Sequence, residues 1–455
     1  MRGLRAGVAA LALVLAPLAA PAQSLSDTLV LAYDTSDLLS QQRNLLAALD
    51  EDVAQAVAAL RPTLSYFANV SARDDTVNGT SSTGSLGLLL QWTLMDGGRR
   101  AFQIGAAKES VLAARWRLQN LEQQVLLDAV TAYFGLRLAV QVVDVSENNL
   151  RLLTQQLRAA RDRFEVGEVT RTDVAIAQTR LAASESQLAA ARGQVDIARE
   201  QYRLATGHAP EGVLPAPPPT PELPPTVERT QALAVQIHPS IKALQHDIAA
   251  AELFVQLARA QRLPTIDLSG QAQRSEPDTQ SLSITLGAQG PLYTGGNLAS
   301  LGRQARANAN AARAGLAQQG RVISDAVGRA FAQLQIARAQ IIASDQQVRS
   351  AQLAFEGFRE EAALGARTTL DVLDAEQELL DARFGLIEAQ SNAQLAVYQV
   401  LAAAGLLTVD HLGLAVQRFD PDVYYNAVRT APATVPRTSE RGGRLDRVLR
   451  RFGRN

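Results

Sequence analysis

The sequence contains no cysteine, and only four histidines and two tryptophans, in 455 residues. Without cysteine the chain has no disulfide, no cysteine-ligated zinc, no thiol nucleophile and no lipid-modified N-terminal cysteine. The histidines His208, His238, His246 and His411 lack the paired spacing of metal ligands. No convergent titratable cluster is visible either, so we expect neither an enzyme nor a metal or cofactor. A net charge of −1 also argues against a nucleic-acid partner.

Proline is absent from two long stretches, between Pro62 and Pro210 and between Pro291 and Pro421. Proline breaks helix interiors, so these stretches leave room for very long helices. The chain is also rich in alanine and poor in aromatic residues, which make up 5%. That composition favours closely packed helices over a large mixed core.

Residues 1–22 have the pattern of a secretory signal peptide. Arg2 and Arg5 precede a short apolar run that ends at Ala20-Pro21-Ala22. A retained signal anchor is the alternative interpretation, but the run is short and broken by proline. We expect no later stretch to approach the roughly 20 apolar residues of a membrane helix. Any membrane crossing is therefore expected to use strands.

The chain contains one internal duplication. Asp96-Gly97-Gly98 recurs as Thr294-Gly295-Gly296, and Gly167 recurs as Gly365, at a constant offset of 198 residues. We therefore predict two repeats of one unit, joined by a stiff proline-rich linker and followed by a C-terminal segment and a basic tail. Their expected ranges are 23–209 and 226–407 for the repeats, 210–225 for the linker, 408–436 for the segment and 437–455 for the tail.

Each repeat is predicted to contain a helix, two strands, a long helix and a return helix. Alternation, as in Leu86, Leu88 and Leu90 with only Leu89 breaking it, predicts the strands. Heptad spacing, as in Leu150, Leu153 and Leu157, predicts antiparallel coiled-coil hairpins. The predicted strands are 62–72, 85–94, 264–273 and 281–290, and the predicted long and return helices are 98–164, 172–206, 296–362 and 371–404.

Strands of this kind fit either a soluble sandwich or a transmembrane barrel. Four strands cannot close a barrel with an aqueous lumen, so the barrel interpretation requires an oligomer. A homotrimer would supply twelve strands.

The first long helix starts at Asp96-Gly97-Gly98, and the two hairpins turn at Val166-Gly167 and Leu364-Gly365. In these motifs and in its duplicated unit, the sequence resembles the TolC-type outer-membrane efflux proteins. The absence of cysteine places it with the unlipidated subgroup, and residues 408–436 resemble that subgroup's C-terminal, equatorial segment.

The resemblance implies a mainly α fold with a β-barrel portion. In that fold each protomer of a homotrimer gives four strands to a twelve-stranded barrel in outer-membrane lipid, and long helices to a barrel that crosses the periplasm of a Gram-negative cell. It also implies an exit duct for tripartite efflux pumps, type I secretion or both. The implied partners are a periplasmic adaptor at the helix tips and an inner-membrane transporter. A periplasmic coiled-coil adaptor or scaffold is the alternative, although it would not need the strands.

Asp371 and Asp374 lie one turn apart at the start of the last long helix, where acids also suit the helix dipole. The resemblance implies that they form a ring of carboxylates at the periplasmic entrance. It further implies that Arg367 ties the second tip to Thr172 and Asp173 of the first, as an entrance latch. The tips themselves, Val166, Gly167, Glu168, Leu364 and Gly365, are the expected adaptor contacts.

The basic tail, 437–455, holds seven arginines and two acidic residues. Leu445, Val448, Leu449 and Phe452 would share one face of a helix, so a short amphipathic segment and simple disorder are both open. We expect the tail either to lie along the helical barrel or to touch an anionic surface.

Overall fold

The computed structural model describes residues 23–432, apart from 76–78, 213 and 277–278, and leaves the side chains of 73–81 undescribed. The predicted signal peptide, 1–22, and the basic tail, 437–455, lie outside the described residues. Within them the helices are α1 Leu25–Thr35, α2 Asp37–Ala58, α3 Arg99–Glu165, α4 Arg171–Thr206, α5 Val227–Ile237, α6 Pro239–Ala260, α7 Asn297–Ala363, α8 Thr369–Ala403 and α9 Pro421–Val428. The strands are β1 Thr63–Asp75, β2 Gly79–Met95, β3 Thr265–Ser275 and β4 Thr279–Gln289.

Two helices precede the strands of each repeat, where the sequence pattern predicts one. Ser36 adopts an extended backbone and accepts a hydrogen bond from the Leu39 amide, which starts α2. Pro239 occupies the first turn of α6, a position where its missing N–H is harmless. The Ser36 cap in the first repeat and Pro239 in the second therefore divide into two helices a segment that helical periodicity alone predicts as one.

The four strands form one antiparallel sheet in the order β1-β2-β3-β4. The β2–β3 pair joins the two repeats, with Trp92 opposite Leu268. β2 begins at Gly79 instead of the predicted 85, because the Ser/Thr-rich segment pairs with β1 as far as Asp75. Since β1 and β4 each have one unpaired edge in this chain, the sheet is open.

Large apolar side chains on the strands are exposed in the single chain. They include Tyr66, Val70, Leu282, Ile284 and Leu286. β4 is exposed along its whole length. An apolar surface of this kind needs a cover other than water.

α3 and α7 each have 67 residues, which corresponds to a rod of ~100 Å. Each is paired with its return helix, α4 or α8, and Gly98 and Gly296 start the two rods from left-handed backbone conformations. The main core lies near the middle of the molecule, where Leu126, Val130 and Tyr133 of α3 pack against α1, α2, α4 and α8.

α3 also contains an 18-residue window of mean hydropathy 1.5, long and apolar enough by composition to cross a membrane. Half of that window is buried inside the chain. The expectation that no later stretch would approach membrane-helix composition is therefore wrong for α3. The physical reason is that a core helix packed among other helices needs the same apolar composition as a membrane helix.

Candidate functional site

The two hairpin turns lie at the ends of the rods farthest from the strands. Gly167 and Gly365 have φ values of 81° and 80°, a left-handed conformation that glycine adopts without steric cost. Hydrogen bonds of 2.9 Å from the Glu168 and Ala366 amides back to the preceding helices close the turns. Val166 and Leu364 are 71% and 86% exposed, so each turn presents a bare aliphatic side chain to solvent.

Both return helices begin with a reciprocal capping box, Thr170 with Asp173 and Thr368 with Asp371. The Asp371 carboxylate accepts bonds from the Thr368 amide at 3.0 Å and its hydroxyl at 2.8 Å. These bonds lower the pKa of Asp371, and the equivalent bonds from Thr170 lower that of Asp173. The predicted entrance carboxylate Asp371 is therefore also the residue that starts α8.

Asp374, the second predicted entrance carboxylate, forms an ion pair with Arg180 of α4, with the Nη2 and Oδ1 atoms 2.6 Å apart. The pair joins the second hairpin to the first, and both side chains are partly exposed. Arg180 carries no signal in the sequence, because the repeat does not reproduce this pair. The positions related by 198 residues are Ile176 and Glu378.

Arg367, the predicted latch arginine, donates from Nε to Glu361 at 2.8 Å and lies 4.5 Å from the centroid of the Phe358 ring. In the described chain its guanidinium thus contacts its own hairpin, whereas Asp173 is held by Thr170. Thr172 is exposed at the other tip. The single chain does not bring the three latch residues together, so the latch remains a prediction about the assembly.

A buried carboxylate, Glu376, lies one helical turn above these groups. It is 3% exposed, and neither of its carboxylate oxygens has a hydrogen-bond partner among the described residues. Leu373, three positions earlier on the same side of α8, packs with Leu157 and Ala177 of the first hairpin. Burial raises the pKa of Glu376 to about 7. Glu376 could not be predicted from the sequence pattern, because heptad spacing identifies contacts within a hairpin and not between hairpins.

In the described part of the chain, no group of three or more His, Asp or Glu side chains is placed to hold a metal ion. The polar groups at the tips are carboxylates and arginines at the ends of helices. Their arrangement can attract or repel ions and can link hairpins through charge-assisted hydrogen bonds.

An open sheet with an exposed apolar surface at one end of two rod-like hairpins defines a chain that enters a membrane by its strands and extends away from it by its helices. The family model described as outer membrane efflux protein matches residues 29–208 and 231–406. The chain belongs to this family and is an outer-membrane channel protein that extends into the periplasm.

Individual relatives agree with this assignment. The chain is 34% identical to the outer membrane efflux protein BepC of Brucella suis biovar 1, over 91% of this chain and 92% of BepC. It is 27% identical to the alkaline protease secretion protein AprF of Pseudomonas aeruginosa, over 80% of each. Its fold matches a crystal structure of CusC with a TM-score of 0.75 and 20% identity, over 84% of this chain and 92% of that one. The predicted family, fold class and location are therefore confirmed.

Proposed function

We propose that three copies of this chain assemble into a continuous duct, with a twelve-stranded barrel in the outer membrane and a helical barrel below it. The observation that carries the proposal is the open four-stranded sheet, because its two free edges and apolar surface require neighbours and lipid. Exposed apolar side chains on the rods, such as Leu204, Ile342 and Leu353, support lateral contacts between copies.

The duct acts as a passive conduit without catalytic chemistry, and its controlled end is at the helix tips. Val166, Gly167, Glu168, Leu364 and Gly365 form the surface for a periplasmic adaptor. Their exposure and the two bare aliphatic side chains support this role.

In the closed assembly Arg367 leaves Glu361 to bind the first tip at Thr172 and Asp173. Asp371 and Asp374 of three copies bring six carboxylates to the entrance, which favours cations there. Block of the channel by a trivalent cation should therefore weaken in an Asp371→Ala/Asp374→Ala double variant. Block that persisted unchanged would contradict this assignment of the carboxylates.

An inner-membrane transporter supplies the energy, and the duct serves efflux, type I secretion or both. The names of the relatives support both, since BepC is an efflux protein and AprF a protease secretion protein. Deleting the gene and measuring drug susceptibility and secreted proteins separates the two uses.

Cell fractionation tests the duct itself. We expect a heat-resistant trimer in the outer-membrane fraction that forms conducting channels in planar bilayers. A monomer in the soluble periplasmic fraction would contradict the proposal and favour a scaffold.

A further inference from the structure

The apolar face of the sheet contains a groove that follows β3. Two successive positions of β3 on this face, Gly270 and Ala272, have almost no side chain. The strand pairing places them between large apolar residues of β2 and β4, which are Leu88, Leu90, Leu282 and Ile284. Because neighbouring strands are only ~4.8 Å apart, these large side chains form walls on both sides of the short ones. We call the two short positions and their walls the β3 groove.

A cavity of about 640 Å³ lies over Ala272 in this groove. On the apolar face it is lined by Tyr66, Leu86, Leu88 and Leu282. At the end farthest from the helices its lining is polar, because Arg274 and Gln280 pair there across β3 and β4. A cavity of this size with apolar walls and one cationic end suits an apolar chain that carries an anionic group at its end.

Arg274 is the only charged residue on the apolar face among the strand side chains that the structure describes. It follows Thr265, the first residue of β3, by nine residues, or ~30 Å along the strand. At a strand tilt of ~40°, this is ~23 Å along the membrane normal, close to the ~25 Å height of the apolar band of outer-membrane barrels. Arginine is costly in the middle of that band but not at its boundary, where a guanidinium reaches headgroups. Arg274 therefore lies at the level of the outer leaflet's headgroups.

The first repeat does not reproduce the groove. The strands β1 and β3 correspond at an offset of 202 residues, at which Pro62 matches Pro264. At this offset, the positions of β1 related to the two short residues and the arginine of β3 hold Ala68, Val70 and Ala72. The groove and its cationic end are thus a property of β3 and not of the duplicated unit.

We propose that the β3 groove binds one acyl chain of a phosphorylated, acylated glycolipid in the outer leaflet, and that Arg274 pairs with the phosphate of that lipid. From Gly270 to Arg274 the groove spans ~13 Å, about half the height of the apolar band and thus the depth of one leaflet. Glycine inside a strand often marks a site that a ligand approaches closely, and arginine binds phosphate through two parallel hydrogen bonds. The proposal rests on the proposed duct only in requiring that this face meet lipid.

Native mass spectrometry of the full-length assembly tests the proposal, with lipid A, a glycolipid of this class, added to the detergent solution. We expect lipid A to bind about tenfold more tightly than the same lipid without its phosphates, at up to one molecule per chain. Equal affinity for the two forms would overturn the proposal. The mass of the lipid-free assembly in the same spectrum reports separately on the trimer, so failure of the proposed duct is distinguishable from failure of the lipid site.

Variants of Arg274 test its role in holding the phosphate. Arg274→Gln should lower the affinity for lipid A about tenfold, to that of the phosphate-free form. Arg274→Lys should keep part of the difference, because lysine retains the charge but loses the second hydrogen bond. The matched control, Arg306→Gln, removes an exposed arginine beside the helices and should leave the affinity unchanged. Unchanged affinity in Arg274→Gln, or an equal loss in the control, would overturn this role.

Ala272→Leu tests the groove itself. A larger apolar side chain at this position fills the cavity and suits a lipid-facing surface, so the sheet should still fold. We expect weaker binding of lipid A both with and without its phosphates, because the acyl chain loses its place beside the backbone. The control Ala288→Leu, on the same face of β4 at the end nearest the helices, should bind as the wild type does. Wild-type affinity in Ala272→Leu would overturn the assignment of the acyl chain to the groove.

Discussion

Replacement of Glu376 by Gln tests whether the buried carboxyl group of α8 is neutral in the folded protein. Glu376 is buried on the side of α8 that faces the first hairpin, without a hydrogen-bond partner among the described residues. An ionised carboxylate in that position is costly, because the surrounding apolar groups replace none of its hydration.

The magnitude follows from the pKa. Burial raises the pKa of Glu376 from its ordinary value of 4.5 to about 7. At about 1.36 kcal/mol per pH unit, the difference corresponds to about 3 kcal/mol. Because the folded protein holds this proton more tightly than the unfolded chain, stability is highest below pH 4.5. It falls as the pH rises toward about 7, and the full loss is present above that value.

Hydrogen exchange of the amides near the start of α8, in the assembled protein, measures the local effect. After correction for the intrinsic pH dependence of exchange, wild-type protection should fall on the order of a hundredfold between pH 5 and pH 8. Glu376→Gln should remove most of that fall, whereas Glu378→Gln, an exposed carboxylate on the same helix, should not. Protection that is independent of pH in the wild type, or a fall that persists in Glu376→Gln, would refute the reasoning.

Three further changes test other parts of the structure. Arg180→Gln breaks the ion pair with Asp374 and should destabilise the contact between the hairpins by up to ~1 kcal/mol, seen as higher single-channel conductance at low salt but not at high salt. Gly365→Ala should destabilise the second tip by about 1 kcal/mol, because alanine would have to adopt a positive φ there. Amide hydrogen exchange at that turn should be faster than in the control Gly357→Ala, which replaces a glycine inside α7. Ile284→Arg on the exposed surface of the sheet should cost about 2–4 kcal/mol and reduce folding into liposomes, whereas Ser283→Arg on the opposite face should fold normally.

The elements of this fold were largely predictable from local pattern. Leu86, Leu88 and Leu90 alternate because one face of β2 is apolar, and the proline-free stretches allow α3 and α7 to run without interruption. Gly167 and Gly365 mark the turns because few other residues adopt a positive φ. These signals depend only on neighbours in sequence or on the partner helix of the same hairpin.

The contacts between hairpins were not predictable in the same way. Arg180 and Asp374 are 194 residues apart, and no spacing rule connects a residue of α4 with one of α8. Glu376 reads as an ordinary polar position of a helix until the packing of Leu373 on the first hairpin shows which side is covered. Tertiary packing decides burial here, and it overrides the polarity of the residue.

The two repeats share one architecture but use it differently near the tips. Leu373 and Glu376 of α8 are covered by the first hairpin, whereas the related positions of α4, Ala175 and Gln178, are exposed. The seam inside the first hairpin, around Leu157, is independent of that cover. Any movement of the second hairpin away from the first must therefore break the Asp374 ion pair and expose Glu376, while each hairpin keeps its own seam. The two rods are equal in length, but divergence of one face has given α8 a buried carboxyl group and an ion pair with α4 that the related positions of α4 lack.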